Sequence, residues 1–374
     1  GYALDQTGEP MVRSTQPLLP PEPVPTVFQV NTMTQNSQFG PHIHSLSNGG
    51  FATAWVSEMH NRSAYTIHMQ VFSPTGIRIG NNTQVGGPVT QKRTSPFDII
   101  QKLYTTPDGR LALLVQTDAS LVRHYFDSDG TALDDATIMA IGLEPKQYTI
   151  KPLPNGGMIT VWSQRDQKSP YHEYGYVGLY DANGIEQKRI TVFESDISVR
   201  LLTVSVLPSG AFVVLGTCGS PNDSSKLFMQ RFYADGTKQG HQIWMDDHEQ
   251  LGNVSQSVVA HSIVVNNRLV VSWSYFDQDT RQVMPVVRQY DLQTNRLQDQ
   301  IWLNHNCVVA YFVRSVAFSD GGFVVIWMGV DNPNEDYDIY MQLFDATGQP
   351  DGDTFRVNTD TINNQERPDI TVLP

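Results

Sequence analysis

Apolar strands alternate with short polar turns along the whole chain, and the alternation follows a fixed order. An apolar run ends in an aromatic residue, an acidic or small residue follows, and the turn closes with glycine or asparagine. The turn-closing residues are Gly76, Gly130, Gly184, Gly236, Asn295 and Gly348. They are separated by 54, 54, 52, 59 and 53 residues. A steady period with small insertions predicts repeated structural units whose variable residues lie in loops.

A second sequence motif, here called a phrase, recurs with the same period. It reads Asn48-Gly49-Gly50-Phe51 in the first repeat and Asp320-Gly321-Gly322-Phe323 in the last complete one. A short strand precedes the phrase and an almost wholly apolar strand follows it. Asn-Gly or Asp-Gly between two apolar runs predicts a tight hairpin, because such turns need residues with positive φ. A strand that is apolar on both faces must be covered on both faces, and we expect neighbouring repeats to cover it.

Each repeat therefore contains four strands, which in the first repeat are residues 41–46, 51–55, 67–72 and 82–85. No window shows the period of an amphipathic helix flanked by caps. About 54 residues for four strands fits one blade of a β-propeller. The sequence thus predicts an all-β fold, a β-propeller of four-stranded antiparallel blades, as a single domain over residues 1–374.

The two ends of the chain resemble parts of a further repeat. Residues 2–8 look like a third strand with its turn, and residues 367–374 look like a first strand. The count is then seven first strands and seven third strands, but six second strands of the Gly-Gly-Phe type. We expect seven blades, with the seventh shared between the termini and closing the ring. The alternative is six complete blades whose end strands pair with sequence outside this chain.

A proline-rich stretch at about residues 16–26 interrupts the first repeat. Proline has no amide hydrogen to donate, so this stretch is excluded from helices and central strands. It predicts an extended surface loop, with recognition as a PxxP-type ligand as the alternative.

Composition narrows the classes of partner. The net charge is −13, which repels phosphate backbones, so nucleic acid is not an expected partner. No apolar run is long enough to cross a bilayer, so no membrane insertion is expected. The first residues have neither a basic start nor an apolar stretch, so we expect any export signal to lie outside this chain.

Cys218 and Cys307 are expected to be buried thiols. The sequence sets no oligomeric state.

The first and last repeats carry a recognisable signature. Phe28-Gln29-Val30-Asn31-Thr32 precedes Gly49-Gly50-Phe51, Trp55 and Gln70-Val71-Phe72, and the sixth repeat has Phe323-Val324-Val325-Ile326-Trp327 and Phe355-Arg356-Val357-Asn358-Thr359. This pattern resembles a repeat of large bacterial secreted and surface proteins, the calcium-dependent RTX-type adhesins. The middle of the chain departs from it, because Gln116 and Gly216 stand where Trp is usual.

The resemblance implies a structural unit and a cellular location. It implies no activity, because the repeat itself specifies none. It implies a bacterial protein that is secreted or displayed at the cell surface, with an adhesin-like role in binding. Calcium is the cofactor that it suggests.

An acidic loop between the second and third strands of the sixth repeat offers oxygen ligands. Its candidate residues for calcium are Asp331, Asn334, Glu335, Asp336 and Asp338. Calcium binds six to eight oxygens from carboxylates, amides and carbonyls. The loop has no EF-hand order and no glycine for a sharp turn, so a solvated surface loop is the competing interpretation.

The tryptophans fall into two groups. Four of them end second strands and are predicted to pack in the core: Trp55, Trp162, Trp273 and Trp327. Trp244 and Trp302 lie in fourth strands, where exposed rings stack on sugars, so they are the candidate ligand-binding residues. His42 and His44 share one face of a strand, but two imidazoles are fewer than a zinc site needs, so we expect half-buried polar residues.

No catalytic motif is present: the chain lacks a G-x-S-x-G elbow, an H-E-x-x-H helix, a phosphate-binding glycine loop and a C-x-x-C pair. We therefore expect a non-enzymatic binding module that presents its loops to a protein or glycan. One alternative is a glycan-active hydrolase or lyase acting at the central funnel, marked by acids or histidines with shifted pKa values. The other alternative is a calcium-stabilised structural spacer.

Overall fold

The computed structural model describes residues 2–4, 28–32, 36–59, 64–89, 99–117, 121–133, 136–139, 148–166, 172–195, 198–219, 226–245, 260–276, 280–303, 308–330, 332, 335–359 and 361–373. Every regular element among these residues is a β-strand, which confirms the all-β prediction. These residues include no helix that is long and apolar enough to cross a bilayer. The proline-rich stretch, His60 and Cys307 lie outside the described residues.

The chain divides into two compact units. Unit 1 contains residues 1–143, 318–320 and 369–374, and unit 2 contains residues 144–317 and 321–368. The prediction of a single domain stays a prediction.

Unit 1 holds two four-stranded antiparallel blades and a pair of short terminal strands. Blade one consists of β2 (Gln38–Ser45), β3 (Phe51–Glu58), β4 (Tyr65–Phe72) and β5 (Arg78–Val89). Blade two consists of β6 (Ile100–Thr105), β7 (Leu111–Gln116), β8 (Leu121–Phe126) and β9 (Thr137–Met139). The terminal strands are β1 (Tyr2–Leu4) and β27 (Ile370–Val372).

Unit 2 holds four blades of the same plan. Blade three is β10 (Tyr148–Pro152), β11 (Met158–Arg165), β12 (Glu173–Tyr180) and β13 (Glu186–Ser195), and blade four is β14 (Ser198–Val206), β15 (Phe212–Gly219), β16 (Lys226–Phe232) and β17 (Lys238–Trp244). Blade five is β18 (His261–Val265), β19 (Arg268–Phe276), β20 (Val283–Asp291) and a fourth strand broken into β21 (Arg296–Leu297) and β22 (Ile301–Trp302). Blade six is β23 (Val309–Ala317), β24 (Phe323–Val330), β25 (Asp338–Phe344) and β26 (Pro350–Arg356).

The prediction of a β-propeller built from four-stranded antiparallel blades is confirmed, with strand order matching chain order in every blade. Neighbouring blades within a unit share apolar clusters. In unit 1 one cluster joins Val56 and Met69 of blade one to Leu103 and Leu113 of blade two. In unit 2 successive clusters join blades three and four, four and five, and five and six. Each second strand is therefore covered where it faces a neighbouring blade of its unit, and in blades four and five a neighbour covers each face.

The prediction of seven blades is wrong, because the residues that the structure describes form six. The ends of the chain form a two-stranded parallel sheet in which Tyr2 pairs with Ile370 and Leu4 with Val372. In an antiparallel blade the first and third strands run parallel with the second strand between them. Among the described residues no second strand lies between β27 and β1, and the two strands pair directly. This pair does not complete a blade, and closure by the termini is not observed.

The aromatic residues of the repeat stack across the hairpin between the second and third strands. Phe323 and Phe344 are directly opposite and their ring centroids are 4.4 Å apart at 8°. Phe51 and Phe72 in blade one, like Phe212 and Phe232 in blade four, stack at 4.9 Å. Such cross-strand pairs stabilise a sheet beyond the area that they bury. The Phe residues that open the second strand and close the third strand of these blades are therefore part of the packing within each blade.

In three blades a buried glutamine of the third strand donates hydrogen bonds to backbone carbonyls at the same place in the sheet. In blade six the Nε2 of Gln342 donates to the carbonyls of Leu343 and Gly352, both at 3.0 Å. The fourth strand bulges at this point, and Gly352 has φ 70°, which favours glycine. Gln70 and Gln230 make the equivalent bonds in blades one and four. The glutamine thus supplies the donor that the bulge removes from the ladder.

Replacing Gln342 with leucine is expected to destabilise the protein by about 1–3 kcal/mol, because buried carbonyls lose their donor. Urea denaturation measures the loss as a lower midpoint with an unchanged slope. The matched control is Gln187→Leu, at an exposed glutamine, which should leave the midpoint within about 0.5 kcal/mol of the parent protein. Equal midpoints for Gln342→Leu and the parent would contradict this role.

Candidate functional site

Polar side chains meet where the first strands of unit 1 lie side by side. His42 and His44 belong to β2, Lys102 and Thr105 belong to β6, and Asp369 immediately precedes β27. We call these five residues the first-strand cluster. Alternation along β2 places both histidines on one face. Each is paired with a small residue of β3, Ala54 or Ala52, which leaves space for an imidazole ring.

Asp369 fixes the position of β27 against β2. Its Oδ2 accepts a hydrogen bond of 2.9 Å from the backbone N–H of Ile43 and lies 4.0 Å from Nδ1 of His42. Two residues further along both strands, the hydroxyl of Thr371 accepts a hydrogen bond of 3.2 Å from the backbone N–H of Ser45. These bonds hold the carboxylate and the first imidazole in a defined arrangement.

His44 is uncharged at neutral pH. Its pKa is lowered from 6.5 to about 4, chiefly by burial and also by the positive charge of Lys102, while the carboxylate of Asp369 acts in the opposite direction. Its Nε2 lies 3.0 Å from the hydroxyl of Thr105. A base with a pKa near 4 binds protons weakly at pH 7, whereas general-base catalysis is most effective when the pKa is close to the working pH. The neutral ring suits hydrogen bonding better than proton abstraction.

The lowered pKa predicts acid sensitivity that depends on His44. Between pH 6.5 and pH 4 the unfolded chain binds a proton at this residue and the folded chain does not, so the free energy of unfolding falls as pH falls. The loss due to His44 is expected to be up to about 3 kcal/mol. We expect His44→Gln to lose less stability between pH 7 and pH 4.5 than the parent, as measured by denaturant titration. His241→Gln, at an exposed histidine, should behave as the parent does; equal pH profiles for His44→Gln and the parent would disprove the assignment.

A second polar network links first strands within unit 2. Nδ1 of His261 accepts from the backbone N–H of Ser315 at 3.2 Å and lies 2.9 Å from its hydroxyl. The hydroxyls of Ser205 and Ser262 are 2.7 Å apart. A serine beside an imidazole is the arrangement of an activated nucleophile. Ser315 is only 4% exposed, however, so a substrate does not reach its hydroxyl and the network joins neighbouring strands.

The proposed calcium loop is described in part. Asp331 and Asn334 lie outside the described residues, and Glu335 and Asp336 are exposed. Asp338 begins β25, where its Oδ1 accepts from the amide of Asn358 at 2.6 Å and its Oδ2 from the guanidinium of Arg356 at 3.2 Å. Both carboxylate oxygens of Asp338 thus have protein donors. No cluster of three His, Cys, Asp or Glu side chains suited to a metal occurs in the described part of the chain.

Calcium binding by this loop stays a prediction and has a direct test. If the acidic loop holds calcium, adding EGTA lowers the melting temperature by several degrees, because a bound ion stabilises only the folded state. Glu335→Gln combined with Asp336→Asn should then reduce the difference between melts with and without chelator. A melting curve indifferent to EGTA removes calcium as a stabilising cofactor.

The two candidate sugar-stacking tryptophans are half-buried. Trp244 packs edge-on against Phe228, with ring centroids 6.3 Å apart, and Trp302 packs edge-on against Tyr275 at 5.2 Å. Both border apolar clusters of unit 2. Their role in ligand binding stays a prediction.

The expectations for buried residues can also be compared with the structure. The other four tryptophans lie in the core, as predicted, with exposures between 0% and 5%. Cys218 is buried. His42 and His44 are half-buried, as expected.

Sequence reasoning identified the two histidines but missed Lys102, Thr105 and Asp369. A usable signal was present, because His42 and Lys102 each stand seven residues before the glycine of their Asn-Gly or Asp-Gly turn. Pro41-His42-Ile43 likewise corresponds to Pro368-Asp369-Ile370. Aligning first strands on these features would have grouped the cluster before the structure was known.

The sequence matches no protein-family model, and no curated protein is detectably related to it. Solved structures do resemble it. An ulvan lyase, a polysaccharide lyase, has a TM-score of 0.50 at 8% identity, with 83% of this chain and 82% of the lyase covered. An α-L-arabinofuranosidase from Fusarium graminearum has a TM-score of 0.49 at 14% identity, with coverage of 86% and 93%.

A puromycin hydrolase is similar at 11% identity with a TM-score of 0.49. Of this chain 88% is covered, but the chain spans about half of that hydrolase, 47% of its length. Similarity at these identities concerns the fold alone, since one fold supports many functions.

Proposed function

We propose that this chain is a non-enzymatic binding module of a bacterial secreted or surface protein, which recognises a protein or glycan partner. The observation that carries the proposal is the state of His44, a neutral imidazole whose Nε2 is 3.0 Å from Thr105 and whose pKa is about 4. Hydrogen-bonding groups of this kind orient a polar ligand, whereas the ring is too weak a base for efficient catalysis at neutral pH.

The composition of the first-strand cluster supports the same conclusion. Asp369 supplies acceptors, Lys102 supplies donors, and Thr105 and the imidazoles supply both. Opposite charges within the cluster offset one another, so a ligand rich in hydroxyl or amide groups suits it better than a highly charged one. The bacterial and extracellular setting rests on the Val-Asn-Thr and Gly-Gly-Phe phrases of the first and sixth repeats.

A glycan-active hydrolase or lyase is the second candidate. One observation favours it: Oδ2 of Asp369 lies 4.0 Å from Nδ1 of His42, and a carboxylate beside an imidazole is able to orient a catalytic base. In this reading His42 is the base, Asp369 is its positioning residue and Lys102 offsets negative charge that develops on the substrate.

Binding assays on matched variants separate the two candidates. We expect the parent protein to bind at least one probe from a glycan array or from immobilised fibronectin, collagen and mucin. His44→Ala and Lys102→Ala should each weaken that binding about tenfold, the cost of one or two lost polar contacts. His241→Ala serves as the control because that histidine is exposed on a fourth strand.

The enzymatic reading makes a different forecast with the same proteins. Polysaccharides incubated with the parent would release reducing ends, or unsaturated products absorbing in the ultraviolet, and His42→Ala would abolish the release. Catalytic turnover of this kind would overturn the binding proposal. Stable binding without turnover supports it.

A further inference from the structure

The third strand of blade three carries a row of aromatic side chains that ends at solvent. Trp162 on β11 contacts Tyr176 on β12, with ring centroids 5.4 Å apart. Tyr176 stacks on Tyr174 at 5.6 Å and 17°, and Tyr174 meets the edge of His172 at 4.9 Å. Trp162 is buried, while His172, Tyr174 and Tyr176 are each half-exposed. We call these three half-exposed residues the aromatic row.

The other blades provide an internal reference for which of these rings the fold requires. At the position of Tyr176, blades one and six place His68 and Tyr340, which stack on Trp55 and Trp327. A ring there is therefore part of blade packing. At the position of Tyr174, strand pairing in the other four comparable blades places Thr66, Lys226, Met284 and Asp338. None of these is aromatic, so packing does not explain the ring of Tyr174.

Several charged groups lie beside the aromatic row. On its face of the sheet His172 contacts Glu194 at 3.2 Å, whereas Arg165 and Glu173, 2.5 Å apart, lie on the opposite face because successive side chains of β12 alternate. Arg189 pairs with Glu186 at 2.7 Å while its guanidinium lies over Trp162. The phenol of Tyr174 also stays protonated, since desolvation and the neighbouring carboxylates of Glu194 and Asp166 raise its pKa. The surface consequently offers ring carbon and hydroxyl groups beside the Arg189–Glu186 ion pair and the carboxylates of Glu194 and Asp166.

We propose that the aromatic row binds an uncharged saccharide chain. This inference rests on the proposed function and names both the site and the class of ligand. Tyrosine combines an apolar ring with a polar hydroxyl, which suits the alternating C–H and hydroxyl groups of a sugar. An apolar peptide laid on this surface would desolvate the flanking charged groups at a cost, whereas sugar hydroxyls replace the water that those groups lose. The net charge of −13 disfavours an anionic chain.

Affinity electrophoresis with soluble polysaccharides tests the inference. The probes are hydroxyethylcellulose, xyloglucan, laminarin and dextran, with alginate as the anionic comparator. We expect retardation by at least one neutral polysaccharide and none by alginate. Tyr174→Ala should weaken binding about fivefold to tenfold through loss of the ring, and Tyr174→Phe should keep most of it. Tyr233→Ala is the matched control, because Tyr233 is 52% exposed in a turn of blade four.

Several results would overturn the inference. The first is that no neutral polysaccharide binds the parent protein. The second is that Tyr174→Ala binds as tightly as the parent, and the third is that Tyr174→Ala and Tyr233→Ala lose polysaccharide affinity equally. Ultraviolet difference spectra of the parent protein give a second readout that needs no variant, since a saccharide on the row perturbs tyrosine absorbance. If glycan binding is lost in His44→Ala but unchanged in Tyr174→Ala, the binding module stands and the aromatic row is excluded. If only protein probes bind, the saccharide inference alone fails.

Discussion

The double-sided burial of the second strand is the constraint on which the rest of this structure depends. Every residue of Phe323–Val330 in blade six is buried, as are all but the last of Phe51–Glu58 in blade one. A single four-stranded sheet covers neither face of such a strand. Within each unit, apolar clusters therefore cross from one blade to the next. Burial of apolar surface between blades is thus the main source of stability for the repeats.

The conspicuous residues of the repeat are the ones that make this packing possible. Phe323 and Phe344 stack across a hairpin, Gln342 supplies donors to carbonyls at a bulge, and Gly352 adopts the left-handed conformation that the bulge needs. These residues therefore recur because the blade structure needs them. Blade three departs from the pattern at Tyr174, where the equivalent residues of four other blades are not aromatic. Comparing equivalent positions within one chain thus separates residues that the fold requires from residues that it does not.

The two surfaces proposed for recognition have different physical characters. The first-strand cluster is compact, half-buried and built from groups that already contact one another, so it is preorganised for a few directional hydrogen bonds. The aromatic row combines half-exposed ring surface with neighbouring charged groups.

The sequence by itself determined the strand count per repeat, the hairpin turns and the buried tryptophans, because these follow from local periodicity and from residues that favour positive φ. It overestimated the number of blades, since a first and a third strand at the chain ends look like parts of a blade even when no second strand separates them. Only the tertiary structure decided that β1 and β27 pair in parallel and that Asp369 lies against β2. It also decided that Trp244 and Trp302 pack on other rings. Contacts between residues more than 300 positions apart depend on how blades stack, which local patterns do not encode.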